Sequence, residues 1–315
     1  MTFLFCSDII YREHLSEKRW VMLDFKKMEL ESGKELRPYL AMSENRLCDI
    51  TLGGTVMWRE AFNTKYAVYD GALYMKMSLY DGRTAFTFPI GKPFGETYKN
   101  LSEYCEKENE HLVFCTVSKE EKDEILKFFP NANVNFERDF SDYIYLKENL
   151  STFAGKKYAG QRNHIHRFMK EHDNWNFEII DKNNIEEIKS FFDGYNAQND
   201  KTSFTAVAER KGVYDVLDNL ETYEFEGEAL RVDGKITGFF LCEALYDTLF
   251  VHIEKCERDI NGAYQMLVME EASKYCVGDL KYINREDDSG DEGLRTSKLS
   301  YHPFYIAEKY TVTVF

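Results

Sequence analysis

Proline is scarce in this chain, five among 315 residues, and no low-complexity tract interrupts it. Nowhere do about eighteen uncharged apolar residues follow one another, so nothing reads as a bilayer-spanning helix. The first ten residues are apolar, but they lack a basic n-region and run into Tyr11-Arg-Glu-His, so no export signal is read. The seven cysteines are scattered, odd in number and form no CxxC pair, which excludes a disulfide framework and a zinc ribbon. The cytoplasm is therefore the expected compartment. GxSxG, GxxxxGK[ST], GxGxxG and HExxH are all missing, and Asn163-His-Ile-His166 offers too few partners for a metal. Cations are outnumbered, 40 Lys and Arg against 55 Asp and Glu, with the acidity spread over both halves. A field of that sign repels phosphate backbones, so no extended nucleic-acid binding is expected. What is present is apolar: 43% hydrophobic and 15% aromatic residues suffice for a packed core.

The pattern of elements predicts two α+β units meeting near residue 150, over 1–150 and 151–315. In the first, helical spacing covers 7–19 and 118–129, the latter opened by a Ser118-x-x-Glu121 capping box. Strands are predicted over 66–77, turning at Asp70-Gly71, and over 84–91 and 111–117. An aromatic strand is predicted within 135–146. In the second unit, a cationic helix over 157–170 precedes a strand over 175–180 and helices from 184 and over 206–220. Three extended runs follow, 228–232, 236–244 and 248–255, with a turn at Asp233-Gly234. A helix over 262–275, a strand over 280–284 and a closing strand over 305–315 complete the plan.

Three clusters could carry chemistry. Strand alternation in Thr248 to Lys255 places Phe250, His252 and Glu254 on one face and Val251 and Ile253 on the other. An ionisable pair on a central strand is costly unless it faces a cleft or is hydrogen-bonded. Asn261-Gly262-Ala263 then opens a helix, whose free amides could bind an anion or simply form a turn. The second cluster, Asn284-Arg-Glu-Asp-Asp-Ser-Gly-Asp-Glu-Gly-Leu-Arg-Thr-Ser-Lys298, follows a strand, where mixed sheets place binding loops. Its acids lack calcium-loop spacing, and Asp291 or Glu292 capping a helix near Gly293, with Arg295 and Lys298 as their ion partners, accounts for them. The third, Lys156 to Lys170, has no acid and forms the one anion-attracting patch, or a solvated helix face.

Together the clusters resemble a known family. Lys157-Tyr-x-x-x-Arg162-Asn-His-Ile-x-Arg-Phe168, Val251-His-Ile-Glu-Lys255 with Gly262-Ala-Tyr-Gln265, and Ile283-Asn-Arg-Glu-Asp287 with Gly293-Leu-Arg-x-x-Lys-Leu-Ser-Tyr-His-Pro303 occur in that order. They resemble an uncharacterised bacterial family grouped with the C-terminal catalytic domain of phosphatidylglycerol lysyltransferase. Arg37-Pro-Tyr-Leu40, Arg46-Leu-Cys-Asp49 and Met57-Trp-Arg59 fit it more loosely. The resemblance implies two tandem GNAT-like (acyl-CoA N-acyltransferase) domains, each a mixed, mostly antiparallel sheet flanked by helices, with the active cleft in the second. It also implies transfer of an acyl or aminoacyl group to an amine or hydroxyl. No tightly bound cofactor is expected; acyl-CoA or aminoacyl-tRNA would serve as co-substrate. The lysyltransferases carry a membrane-spanning region that this sequence does not show, and an aminoacyl-tRNA donor suits a basic surface, so lipid aminoacylation does not carry over with the family label.

Acyl transfer needs a base, a held electrophile and oxyanion donors. Glu254 or His252 is the expected base and Tyr301 a proton donor. Asn261, Gly262, Ala263, Arg162 and Lys157 are expected at the donor, and Asn284, Arg285, Glu286, Asp287, Arg295 and Lys298 at the substrate. No metal site is expected. The alternative is a non-catalytic ligand-binding protein on the same fold.

Overall fold

A computed structural model describes residues 23–197 and 203–315; the helix predicted over 7–19 lies outside the described residues. Two seven-stranded sheets form the frame. The first orders its strands Lys26–Lys27, Lys65–Tyr69, Ala72–Ser78, Thr84–Phe86, Val113–Val117, Tyr310–Thr313 and Asn133–Phe136. The second orders them Trp175–Ile179, Glu226–Val232, Lys235–Leu245, Thr248–Cys256, Tyr282–Asn284, Asp142–Leu146 and Tyr305–Ala307. In each sheet a four-strand meander is followed by one parallel neighbour, and all other pairings are antiparallel.

The local chemistry explains the elements that the sequence shows. Ser118 Oγ accepts from the Glu121 amide at 3.2 Å, and Glu121 returns the contact to the Ser118 amide at 2.7 Å, which opens the Lys119–Phe128 helix. Both hairpin turns use left-handed pairs, Asp70 (φ 47°) with Gly71 (φ 74°) and Asp233 (φ 49°) with Gly234 (φ 78°). Two left-handed residues match the right-handed twist of the flanking strands.

Two predicted strands are each split in two. The aromatic run over 135–146 breaks at a 3-10 turn, Arg138–Phe140, and the closing run over 305–315 breaks at Glu308 and Lys309. In both, the first part stays in its own sheet and the second crosses over. Asp142–Leu146 pairs with Tyr282–Asn284 in the second sheet, and Tyr310–Thr313 pairs with Val113–Val117 in the first. Each sheet thus takes its sixth strand from the far half of the chain.

The crossing point is polar and sealed. Lys309, 1% exposed, sits between Asp142 Oδ1 at 2.8 Å and Asp49 Oδ2 at 2.5 Å, with Cys48 Sγ at 3.4 Å. Cys48, Asp49 and Asp142 are grouped closely enough to hold a metal ion. The lysine ammonium already supplies the positive charge there. Burial opposes that charge, yet Asp142 and Asp49 hold the Lys309 pKa well above the usual lysine value. An apolar core continues between the halves: Leu52 and Val56 from the Leu52–Trp58 helix belong to the same cluster as Phe192, Val213, Phe239 and Ile253.

Candidate functional site

The parallel pair in the second sheet stays together for only three steps, Thr248↔Tyr282, Leu249↔Ile283 and Phe250↔Asn284. Beyond them the long strand runs on to Cys256 while the chain at Arg285 departs, so the two backbones open a V. A bulge falls at the mouth. Leu241 pairs with Ile253 and Cys242 with Val251, leaving His252 as the extra residue.

The bulge resets the alternation expected from the sequence. Val251 packs in the cluster of Phe240, Cys256 and Leu267, whereas Ile253 packs with Phe239, Val213 and Phe225. His252 and Glu254 therefore do not share a simple face. His252 lies beside Phe225, Thr51 and Gly53, and Glu254 lies with Arg285 near Tyr301 and Glu271. A period-two reading cannot survive an inserted residue.

Two ion pairs bridge the V. Arg285 clamps Glu254 through Nε at 3.0 Å and Nη2 at 2.8 Å, with the two side chains 9% and 11% exposed. His252 is gripped from both ring nitrogens, Nδ1 to Glu286 Oε1 at 2.7 Å and Nε2 to Glu243 Oε1 at 2.9 Å. Burial disfavours the charged ring, but its hydrogen bonds to the Glu243 and Glu286 carboxylates outweigh that and push the His252 pKa up to about 10. A shift in that direction favours the imidazolium at neutral pH, a positive charge seated between two carboxylates. Glu243 also accepts from the Gly53 amide at 2.5 Å, which ties the site to the first half of the chain.

The loop after the V is held from below. Asn284 is fully buried; its amide nitrogen donates to Asp142 Oδ2 at 2.9 Å and to the Arg46 carbonyl at 2.7 Å. Its oxygen accepts from the Glu286 amide at 2.6 Å, fixing Glu286 in a left-handed conformation (φ 57°). Such strain persists only where the surroundings over-determine it. Lys298 donates to the Arg285 carbonyl, and burial together with the Arg285 charge lowers its pKa. The Tyr301 ring lies under the Arg285 guanidinium, 4.5 Å from its centroid, and burial raises its phenol pKa.

His252, Glu254, Asn284, Arg285, Glu286, Lys298 and Tyr301 thus form one contact network. Other expected residues are engaged elsewhere. Asp287 turns to the Ser289 amide and hydroxyl, both at 2.9 Å. Arg295 is held by Asp288 (Nε at 2.9 Å, Nη2 at 2.7 Å) and by Asp139 at 2.7 Å, rather than by Asp291 or Glu292. Asp291 does cap the Glu292–Ser300 helix, accepting from the Leu294 amide at 2.6 Å. Arg162 donates to the Phe153 and Gly155 carbonyls, and Lys157 lies over the Tyr158 ring.

At the Ala263–Glu270 helix start the cap position is Gly262, which has no side chain to bond a free amide, and Ala263 is fully buried. Gly262 has φ 84°, and a Cβ there would stand 2.2 Å from the His164 carbonyl oxygen. The space that its missing side chain leaves is filled by the Ala159–Glu171 helix. Close helix packing explains that glycine.

Sequence reasoning missed Glu243, Glu271 and Lys309. Glu243 had a signal, a lone acid closing the apolar run Ile236 to Cys242 in a predicted strand. Lys309 had none, because its partners are 167 or more positions away and come together only through the strand exchange.

Residues 41–313 match the family model of the phosphatidylglycerol lysyltransferase C-terminal region, and the chain belongs to that family. A conserved protein of unknown function from Bacteroides thetaiotaomicron VPI-5482 superposes with a TM-score of 0.88 at 30% identity, covering 93% of this chain and 100% of that one. L-PGS from Bacillus licheniformis superposes with a TM-score of 0.64 at 14% identity, covering 89% and 91%. FemX gives a TM-score of 0.60 at 9% identity, covering 93% and 98%. These likenesses support the paired GNAT-like α+β fold expected from the motifs. An uncharacterised protein of Mycoplasmoides gallisepticum is 24% identical over 176 residues; the match spans 55% of this chain and 56% of that protein's length. Among the described residues no helix is long and apolar enough to cross a membrane.

Proposed function

We propose that the chain is an aminoacyl- or acyltransferase whose reaction takes place in the V between Thr248–Cys256 and the loop after Tyr282–Asn284. The observation that carries this reading is the pair of ion pairs across the V, Glu254 with Arg285 and His252 with Glu286. In this reading the Glu254 carboxylate serves as base beside two cations, Arg285 and His252, all three largely withdrawn from water. Family membership favours an aminoacyl ester as donor, with acyl-CoA as the other donor class.

In this reading the acceptor's amine or hydroxyl attacks the donor carbonyl and passes its proton to Glu254. Arg285 and the His252 imidazolium offset the charge that develops on the carbonyl oxygen. The Lys298 ammonium, a readier acid because its pKa is lowered, returns a proton to the leaving oxygen or sulfur. Tyr301, with its raised phenol pKa, is the weaker donor for that step. The donor-binding role of Asn261, Gly262, Ala263, Arg162 and Lys157 has little geometric support, and Arg295 and Asp287 act by shaping the loop.

A second reading has one observation in its favour. The candidate base, Glu254, is already paired with Arg285, as a site that binds a ligand without reacting would allow. The test is transfer of radiolabel from lysyl-tRNA and, separately, acetyl-CoA to small amines and to phosphatidylglycerol vesicles. Label should reach an acceptor with the natural chain, and Glu254→Gln should lower the rate by about 10²–10⁴. Failure of both donors with all acceptors, or full activity in Glu254→Gln, would remove the catalytic reading.

A further inference from the structure

Behind Arg285 lies a second carboxyl group that the proposed chemistry does not use. The Ala263–Glu270 helix gives way to a π-helical stretch, Glu271–Tyr275, and Glu271 is its first residue. π-turns of this kind are rare and frequent at functional sites. Glu271 is 0% exposed, and neither carboxyl oxygen has a hydrogen-bond partner among the described residues. Its nearest cation is Arg285, whose Nε stands 3.8 Å away while gripping Glu254. Arg285 Nη1 is likewise buried without a partner.

An ionised carboxylate cannot be left in such a place without compensation, and the one guanidinium within reach is committed to Glu254. We propose that Arg285 is shared by two carboxyl groups, Glu254 and Glu271, which together hold one proton, and that Glu271 is a positioning residue that fixes which of them Arg285 grips. This rests on reading Glu254 as the working base. With the proton on Glu271, Arg285 stays on Glu254; when that same proton passes to Glu254, Glu271 is left ionised and becomes the seat for Arg285. The other charged and titratable groups facing Glu271 agree with a neutral acid. Burial, then the Glu254 charge, raises its pKa well above the usual range, while Arg285 and Lys298 pull it down; Tyr301 and Cys242 stay neutral, their own pKa values raised by burial.

The experiment is infrared difference spectroscopy of the whole protein near pH 7, variant minus parent, read in the protonated-carboxyl stretching band. Glu271→Gln should remove one protonated carboxyl. Glu254→Gln should remove it as well, although Glu271 is still present, because Arg285 then has a single carboxylate to hold. Loss in Glu271→Gln but persistence in Glu254→Gln would show an isolated neutral acid and overturn the sharing. Absence of the band from the parent would show an ionised Glu271 and overturn it equally. Should Glu254→Gln not fold, Arg285→Gln supplies the second reading: the band's titration midpoint should move upward, and an unmoved midpoint refutes coupling. No substrate is needed, so a silent transfer assay does not decide this result, nor this result that assay.

Discussion

Replacing Lys309 by methionine tests the strand crossing most directly. The lysine is 1% exposed and Asp142, at 2.8 Å, has a fully buried side chain. Methionine keeps most of the hydrocarbon stem, so the change removes charge far more than volume. Breaking a buried ion pair by deleting one partner costs about 3–5 kcal/mol, because the remaining charge is uncompensated. Asp142 would keep the Cys48 amide at 2.8 Å and the Asn284 amide at 2.9 Å, which places the loss near the lower end, about 3 kcal/mol. At roughly 2–4 °C per kcal/mol that is a melting-temperature drop on the order of 6–12 °C. Urea unfolding of Lys309→Met, Asp142→Asn and the double variant gives the coupling. The double variant should recover at least about 1 kcal/mol of the summed single losses. A Lys309→Met protein within about 1 kcal/mol of the parent, or additive losses, would refute the argument that the ammonium compensates Asp142.

Two further outcomes follow from the geometry. The His252 pKa is raised from 6.5 to about 10 in the folded state, so its stabilising effect is complete below 6.5 and is lost as pH rises through about 10. Urea midpoints of the parent should fall across that window, with a slope of at most about 1.4 kcal/mol per pH unit from this group, and His252→Gln should remove that component; parallel profiles would contradict it. Gly262→Ala meets a backbone oxygen at 2.2 Å and a left-handed φ, so we expect a stability loss of at least about 2 kcal/mol and not merely weaker ligand binding. Calorimetry showing an unchanged melting temperature would return Gly262 to the role of an open anion cradle.

What the sequence shows and what it hides divides along range of interaction. The Ser118 capping box, the Asp70-Gly71 and Asp233-Gly234 turns and the Asp291 cap are local, and each forms where the residues predict. Part of the second cluster also comes together, since Asn284, at the end of its strand, and Arg285 and Glu286, just after it, contact one another or Glu254 and His252. Misread were the features set by distant partners. Nothing in 135–146 or 305–315 says that each run divides between two sheets, because both parts are good strand formers and the break is decided by which edge lies nearby. The bulge at His252 is likewise invisible to an alternation rule. Arg162 and Lys157 stand out for charge and for their place in the first family motif; in the fold Arg162 donates to the Phe153 and Gly155 carbonyls and Lys157 lies over the Tyr158 ring, local contacts that neither signal foretells.

The exchange of strands fixes both arms of the V to the first half of the chain. Tyr282–Asn284 is flanked on one side by Thr248–Cys256 and on the other by Asp142–Leu146, a strand from the first half of the chain. The same half supplies Arg46, whose carbonyl fixes Asn284, and Gly53, whose amide fixes Glu243. One arm of the V is therefore anchored through Asn284 and Glu286 to the first half, while the other is anchored through His252 and Glu243 to a different segment of it. A shift between the halves would move the two arms relative to each other and change the His252–Glu286 contact before it disturbed either sheet. That contact is worth most when both partners are excluded from water. The first half is thus part of the V's geometry, and any change in the angle between its arms works against the packed interface of Leu52 and Val56 with Phe239 and Ile253.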